Sequence, residues 1–166
     1  AHDALIRPAL AIVCVGDDIP SQIYIGQKIK KAQELNIDAS VHHLPCNVDA
    51  KTCKELIVSL NNNPHVHGMI LQLPIPKHLN SRDLIDCIAP HKDVDGLTSI
   101  NLGRLFCDAP PYYVPCTAQG CLHALDYTGV NLSGKIALVI GRSLLVGKSL
   151  IPLLLKRNMS VMSANS

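Results

Sequence analysis

Tryptophan is missing from this sequence, phenylalanine occurs once and tyrosine four times, so aromatics make up only 3% of its 166 residues. Any core must therefore be built from Ile, Leu, Val and Ala, and an apolar share of 48% supplies enough of them. Charge is sparse as well. Asp, Glu, Lys and Arg account for 17% of the chain, with a formal net charge of +2. The basic residues are interspersed with acidic ones, which argues against nucleic acid or a membrane surface as the main partner. No apolar run reaches the length of a membrane span, and the first residues lack the charged-then-apolar order of a secretory signal. The expectation is a soluble intracellular protein, cytoplasmic, with a mitochondrial location left open.

There is no Cys-x-x-Cys among the seven cysteines. Their odd number, and the apolar company of Cys14, Cys46, Cys53, Cys87 and Cys121, favour buried reduced thiols over disulfides. The pairs His42-His43 and His65-x-His67 lack the spacing and the Cys or carboxylate partners of a closed zinc site. No metal is expected.

What the chain does contain is an alternation of strand-like and helix-like segments. Residues 10–15 form a short continuous apolar run ending at Gly16, as a buried parallel strand would. Ser21 offers a cap for a helix reaching Leu35, and Asp49 caps another reaching Leu60. Strands are predicted at 38–44 and 66–73, the second stopped by Pro74 and Pro76, and a short helix at 81–88. A Pro-rich irregular stretch runs from Pro90 to Pro115. Beyond it, Thr117 caps a helix ended by Gly129, residues 135–140 form a strand, 148–157 a helix, and a further strand begins at Ser160. The predicted fold is α/β: a first domain with a parallel sheet at 1–115, then at 116–166 the opening of a Rossmann-like domain, which needs several more strands to be complete.

Four places could carry chemistry. Tyr24 and Lys28 stand four apart and share one face of a predicted helix. An amine beside a ring can serve as a proton carrier, although by spacing alone such a pair more often marks an amphipathic helix with a solvated lysine. Gln72 lies in Leu71-Gln72-Leu73-Pro74, at the carboxyl end of a predicted strand, where open sheets bind ligands. Its amide must be satisfied either by backbone or by a ligand and a neighbouring side chain. Lys92-Asp-Val-Asp95-Gly places two carboxylates two apart, readable as a self-capped turn or as one carboxylate facing a pocket; no glutamate closes a calcium loop there.

The fourth is Gly141-Arg142-Ser143-Leu-Leu-Val-Gly147-Lys-Ser149, set between a strand and a helix where a phosphate can sit on the helix N-terminus. It misses the NTPase loop by one residue, and Ser143 replaces the second glycine of the usual dinucleotide fingerprint. Arg142 can offer a bidentate hold to the extra phosphate of NADP. A plain strand-to-helix turn is the structural alternative. A Tyr-x-x-x-Lys pair also occurs in short-chain dehydrogenases, but there the nucleotide loop precedes it, and here it follows.

Taken in order, these segments, together with Val15-Gly-Asp17, Gly68-Met-Ile-Leu-Gln72, Thr98-Ser-Ile-Asn101, Gly103-Arg-Leu105 and Pro115-Cys-Thr117, resemble the bifunctional methylenetetrahydrofolate dehydrogenase/methenyltetrahydrofolate cyclohydrolase family. The resemblance runs from about Pro8 to Ser166. It implies a two-domain α/β enzyme of one-carbon metabolism, usually a homodimer, that uses NADP to oxidise 5,10-methylenetetrahydrofolate and then hydrolyses the methenyl product to 10-formyltetrahydrofolate. It implies Lys28 as the cyclohydrolase lysine, Tyr24 stacked on the folate rings, Gln72 bonded to the lysine and Asp95 on the pterin edge, with Leu71 and Leu73 beside the substrate. Gly141, Arg142, Ser143 and Ser166 would hold the cofactor.

The chain departs from the family pattern at three positions. Ala118 and Gln119 follow Pro-Cys-Thr where the family usually has proline and a basic residue, and Ser149 stands where proline commonly follows the second glycine of the nucleotide loop. The family's initial helix and the remainder of its nucleotide domain are also absent, which reads as a partial sequence or a degenerate remnant. A noncatalytic scaffold of the same fold is the competing function, and an NTPase a weaker one.

Overall fold

The computed structural model describes residues 7–165. The chain divides into two compact units, Ala1–Asp93 and Val94–Ser166. That division falls earlier than the domain boundary expected after 115, because the intervening stretch is not irregular: it contains a helix whose Leu105 packs with Ala118 and Leu153 of the second unit. Both units are α/β with parallel sheets.

In the first unit the elements are β1 (Ala9–Val15), α1 (Ile19–Glu34), β2 (Asp38–Leu44), α2 (Ala50–Asn62), β3 (Gly68–Leu71) and α3 (Ser81–Ile85). The sheet order is β2-β1-β3, all parallel, with Ala9 opposite Asp38 and Leu10 opposite Gly68 at the start of the two registers. The central strand explains its own composition. With partners on both edges and covered faces, Ala11 to Val15 are all buried, so no polar alternation survives. β3 is shorter than the 66–73 expected, and the Leu73–Pro74 bond that follows it is cis.

α1 buries Ser21, Ile25 and Ala32. Ile25 packs with Ile12 and Cys14, flanked by Leu10 and Ile29, and burying one such side chain is worth about 1.5–3 kcal/mol. Its cap is Asp18 rather than Ser21: the Asp18 carboxylate accepts the Ser21 amide at 2.9 Å. Pro20 within the first turn lacks the donor that a cap would otherwise need to satisfy, which shifts the start upstream. Asp49 caps α2 as expected.

In the second unit the elements are α4 (Ser99–Phe106), α5 (Cys116–Tyr127), β4 (Ile136–Ile140), α6 (Gly147–Leu155) and β5 (Ser160–Ala164), with β4 and β5 parallel. Val139, Leu154 and Met159 form a core joined by Leu122 and Leu150. Thr117 does not cap α5, whose first turn has Pro115 at the cap position and no side-chain bond. Of the cysteines expected to be buried, Cys14 and Cys53 are, Cys87 and Cys121 are half-buried, and Cys46 is exposed in the turn after β2. All seven are free thiols. No helix of the described residues is long and apolar enough to cross a membrane.

Hydrogen bonding holds the carboxyls of Asp18 and Asp49 below the usual carboxylate range, through Ser21 for the first and chiefly the Thr52 amide for the second. A depressed folded value means the caps contribute fully above the unfolded value of about 4 and are lost as pH falls through the folded one. Replacing both by Asn is therefore expected to flatten the acid limb of thermal stability below about pH 4 with little change at neutrality. An unaltered acid limb in the double variant would show that these caps do not set it.

Candidate functional site

Lys28 lies seven residues after Ser21 and four before Ala32, so it falls on the stripe of α1 that faces the sheet. The helix thus carries its stem inward, and the side chain is half-buried. Gln72 follows β3 directly, and its backbone amide extends the ladder by donating to Val13 O at 2.8 Å. Across 44 positions of sequence the two side chains meet: Lys28 Nζ donates to Gln72 Oε1 at 2.9 Å.

The amide cannot turn freely. Gln72 is buried, and its Nε2 donates to the Leu73 carbonyl at 2.8 Å, which fixes the oxygen towards the lysine. Ser21 Oγ donates to Asp18 Oδ2 at 2.7 Å and lies 3.4 Å from the same Leu73 carbonyl. The cap of α1 and the end of β3 are thereby joined at the point where the amine emerges. Lys28 is held by a neutral amide and not by a carboxylate, so its partner orients it without competing for its proton.

The remaining expected site residues are placed less uniformly. Tyr24, one turn before Lys28, is 59% exposed, leaving its ring open to a ligand. Leu71 is buried within β3 and Leu73 is half-buried. Asp95 is half-buried and belongs to the second unit, whereas Tyr24, Lys28 and Gln72 belong to the first. Gly96 beside it has φ +66, and a Cβ there would stand 2.7 Å from the Tyr113 carbonyl and 3.0 Å from Pro115 N. Only glycine fits that approach.

Lys92 was missed as a structural residue. Its Nζ is buried and donates to the carbonyls of Leu60, Asn61 and Asn63, satisfying the last turn of α2 with a cation. Burial pushes this ammonium below its ordinary pKa. A lysine directly before the Asp pair was the signal, but nothing local pointed to a helix end about thirty residues back in the sequence. Met69 N donates to Lys92 O, and a parallel bridge joins Met69 to Asp93, so the chain runs beside β3 as it leaves the first unit.

The second candidate site lies between β4 and α6. Gly141 has φ +122, and a Cβ on Gly147 would overlap the Gly141 carbonyl, so the loop folds back on itself through two glycines. Ser143 ties it internally: its Oγ accepts from Val146 N at 3.2 Å and its carbonyl accepts from Lys148 N at 3.0 Å. The amides of Arg142, Ser143, Leu144 and Gly147 donate to no acceptor among the described residues. Arg142 is exposed, and a groove beside β4 is lined by Ile140, Gly141, Ser143, Val146 and Gly147. Ser166 lies outside the described residues.

No three His, Cys, Asp or Glu of the described residues cluster as metal ligands would. Two of the histidines considered above have other contacts: His67 Nδ1 accepts from Ala9 N at 3.0 Å, and His43 Nε2 lies 3.0 Å from Gly16 O and 3.2 Å from Asp17 Oδ1.

A parallel-sheet unit presenting a lysine held by an amide is thus followed, in a second α/β unit, by a strand, a glycine turn and a helix. Residues 1–95 match the catalytic domain of tetrahydrofolate dehydrogenase/cyclohydrolase, and residues 115–166 match that family's NAD(P)-binding domain. The chain belongs to the tetrahydrofolate dehydrogenase/cyclohydrolase family. It is 47% identical over 161 residues to the bifunctional protein FolD of Thermodesulfovibrio yellowstonii, covering 97% of this chain and 56% of the relative. The structure of the FolD enzyme from Campylobacter jejuni superposes with a TM-score of 0.93 at 34% identity, over 96% of this chain and 56% of that one. The Trypanosoma brucei methylenetetrahydrofolate dehydrogenase-cyclohydrolase, solved with NADP and an inhibitor, gives 0.90 at 30% identity, over 95% and 54%. The chain spans about half the length of the relatives it matches.

Gly96→Ala is expected to destabilise the protein by about 2–4 kcal/mol through left-handed strain plus overlap with the 113–115 backbone. Gly120→Ala, on the exposed side of α5 with open space around it, is expected to raise stability by about 1 kcal/mol. Denaturant unfolding checks both, and equal effects would contradict the assigned close approach.

Proposed function

We propose that this chain is the folate-binding part, with the opening of the nucleotide unit, of an enzyme that oxidises 5,10-methylenetetrahydrofolate with NADP and hydrolyses the 5,10-methenyl product to 10-formyltetrahydrofolate. The single observation that carries this reading is the Lys28–Gln72 hydrogen bond at the carboxyl end of the parallel sheet. A buried amide whose two polar atoms are both engaged, one by a lysine on a separate helix, costs side-chain freedom that a scaffold has no use for.

Hydrolysis of the methenyl bridge forms a bond from a water oxygen to the bridge carbon and breaks the bond from that carbon to N5. Lys28 is the group that orients this water and passes its proton at Nζ. Gln72 holds the amine at one position, and the Tyr24 ring offers a flat surface against which the folate rings stack. Asp95 accepts from the nitrogen-rich edge of the pterin. Leu71 and Leu73 flank the same strand end.

For the oxidation, the bound cofactor supplies hydride acceptance, and the folate nitrogen lone pair supplies the electronic push. The protein's part is orientation. The Gly141–Gly147 turn fits a pyrophosphate because its closely packed backbone leaves amides unengaged at the start of α6, and exposed Arg142 supplies a planar donor for the 2′-phosphate. Ser166 is a further candidate for that phosphate. We further infer a homodimer, to be checked by sedimentation.

In the full-length natural protein, Lys28→Met is expected to lower cyclohydrolase turnover by about 100-fold or more while dehydrogenase activity partly survives. Arg142→Ala is expected to raise KM for NADP about tenfold and that for NAD much less. Equal loss of both activities in folded Lys28→Met would overturn the lysine's role. An unchanged cofactor preference would overturn that of Arg142. Failure of the wild type to bind either a folate analogue or NADP in calorimetry would leave the scaffold reading in its place.

A further inference from the structure

Ser149 has no part in the chemistry described so far. It is the third residue of α6, it is completely buried, and its hydroxyl donates to the Leu144 carbonyl in the middle of the glycine turn. Fully buried serines are uncommon and are placed by their hydrogen bonds. The other recorded ties within the turn, from Val146 N and Lys148 N, both end on Ser143. The Ser149 bond therefore anchors a different point, the carbonyl after Ser143, to the body of the helix.

The surroundings make that anchor consequential. Gly147 approaches Gly141 so closely that no side chain fits, so the base of the turn is fixed by packing. Leu144 and Leu145, at the tip, are 37% and 40% exposed and gain little from burial. The tip needs a restraint of another kind if its amides are to be ordered before a ligand arrives. Where the family pattern has proline at this position, the restraint is a fixed backbone angle without a donor. Here a hydroxyl provides it instead.

We propose that Ser149 is a positioning residue for the dinucleotide phosphates: its hydroxyl latches the Leu144 carbonyl to the first turn of α6 and so pre-orders the amides of residues 142–147. This rests on the nucleotide-binding reading given above. Ser149 touches no reacting atom, and its effect is exerted through the loop backbone. Proline is compatible with the site because the amide of a third helical residue has no intrahelical acceptor.

The test compares wild type, Ser149→Ala and Ser149→Pro in the full-length natural protein. Hydrogen exchange is measured without ligand, and calorimetry uses NADP and a folate analogue. Ser149→Ala is expected to speed exchange at the bonded amides of Val146 and Lys148 by about tenfold and to weaken NADP binding by about three- to tenfold. Exchange in β4 and affinity for the folate analogue are expected to stay unchanged. Ser149→Pro, restraining the backbone by other means, is expected to bind NADP within about twofold of wild type. The latch is overturned if Ser149→Ala exchanges and binds NADP as wild type does, or if exchange rises evenly through β4 and α6 as in a general loss of stability. Should Ser149→Ala not fold, Ser149→Cys, similar in size but a poor donor, takes its place with the same two criteria. A wild type that binds the folate analogue but not NADP overturns the nucleotide reading itself, and the exchange pattern then still decides whether the loop is latched.

Discussion

One hydrogen bond between an amine and an amide, from Lys28 Nζ to Gln72 Oε1, depends on nearly every structural choice made by the first unit. It requires β1 at the centre of a parallel sheet, packed through Ile12 and Cys14 against Ile25 of α1 and paired along one edge with β3, which leads into Gln72. It requires α1 to begin at its Asp18 cap, because a shift of one residue would rotate Lys28 by about 100° away from the sheet. It also requires the Leu73 carbonyl to hold the amide Nε2, since a flipped amide would present two donors to an ammonium. The pair is therefore sensitive to cap, register and rotamer together, while no single one of these dictates it.

The two units build their candidate sites in different ways. The first brings side chains together from sequence-distant elements. The second is shaped by backbone: two glycines allow the chain to double back on itself at the start of α6. This contrast accounts for why a departure from the family pattern at residue 149 can be accommodated by a new hydrogen bond, while Gly147 has no room for any side chain.

Much of this was legible in the sequence where local physics is decisive. The continuous apolar run of β1, the Asp49 cap of α2 and the strand ending at Ile140 are each specified by a few neighbouring residues. The helix α4 was not, because Ser99–Phe106 lies in a stretch punctuated by Gly96, Pro110 and Pro111, and its amphipathic character shows only once Leu102 and Leu105 are known to be buried. Ser21 looked like a cap because it is a good one in isolation, yet Asp18 lies upstream of Pro20 and takes that position. Gln72 admitted two readings from sequence. In the structure its nitrogen is satisfied by backbone and its oxygen by the Lys28 side chain. Lys92 and Ser149 were opaque for the same reason: their partners are carbonyls, which sequence does not distinguish from one another.

The most direct measurement is the structure of the full-length protein bound to a folate analogue that resists hydrolysis. The account requires Lys28 Nζ to remain bonded to Gln72 Oε1 while also reaching the bridge region of the analogue, with the Tyr24 ring against the pterin. An analogue bound with its bridge out of reach of that amine would contradict it, whatever the affinity.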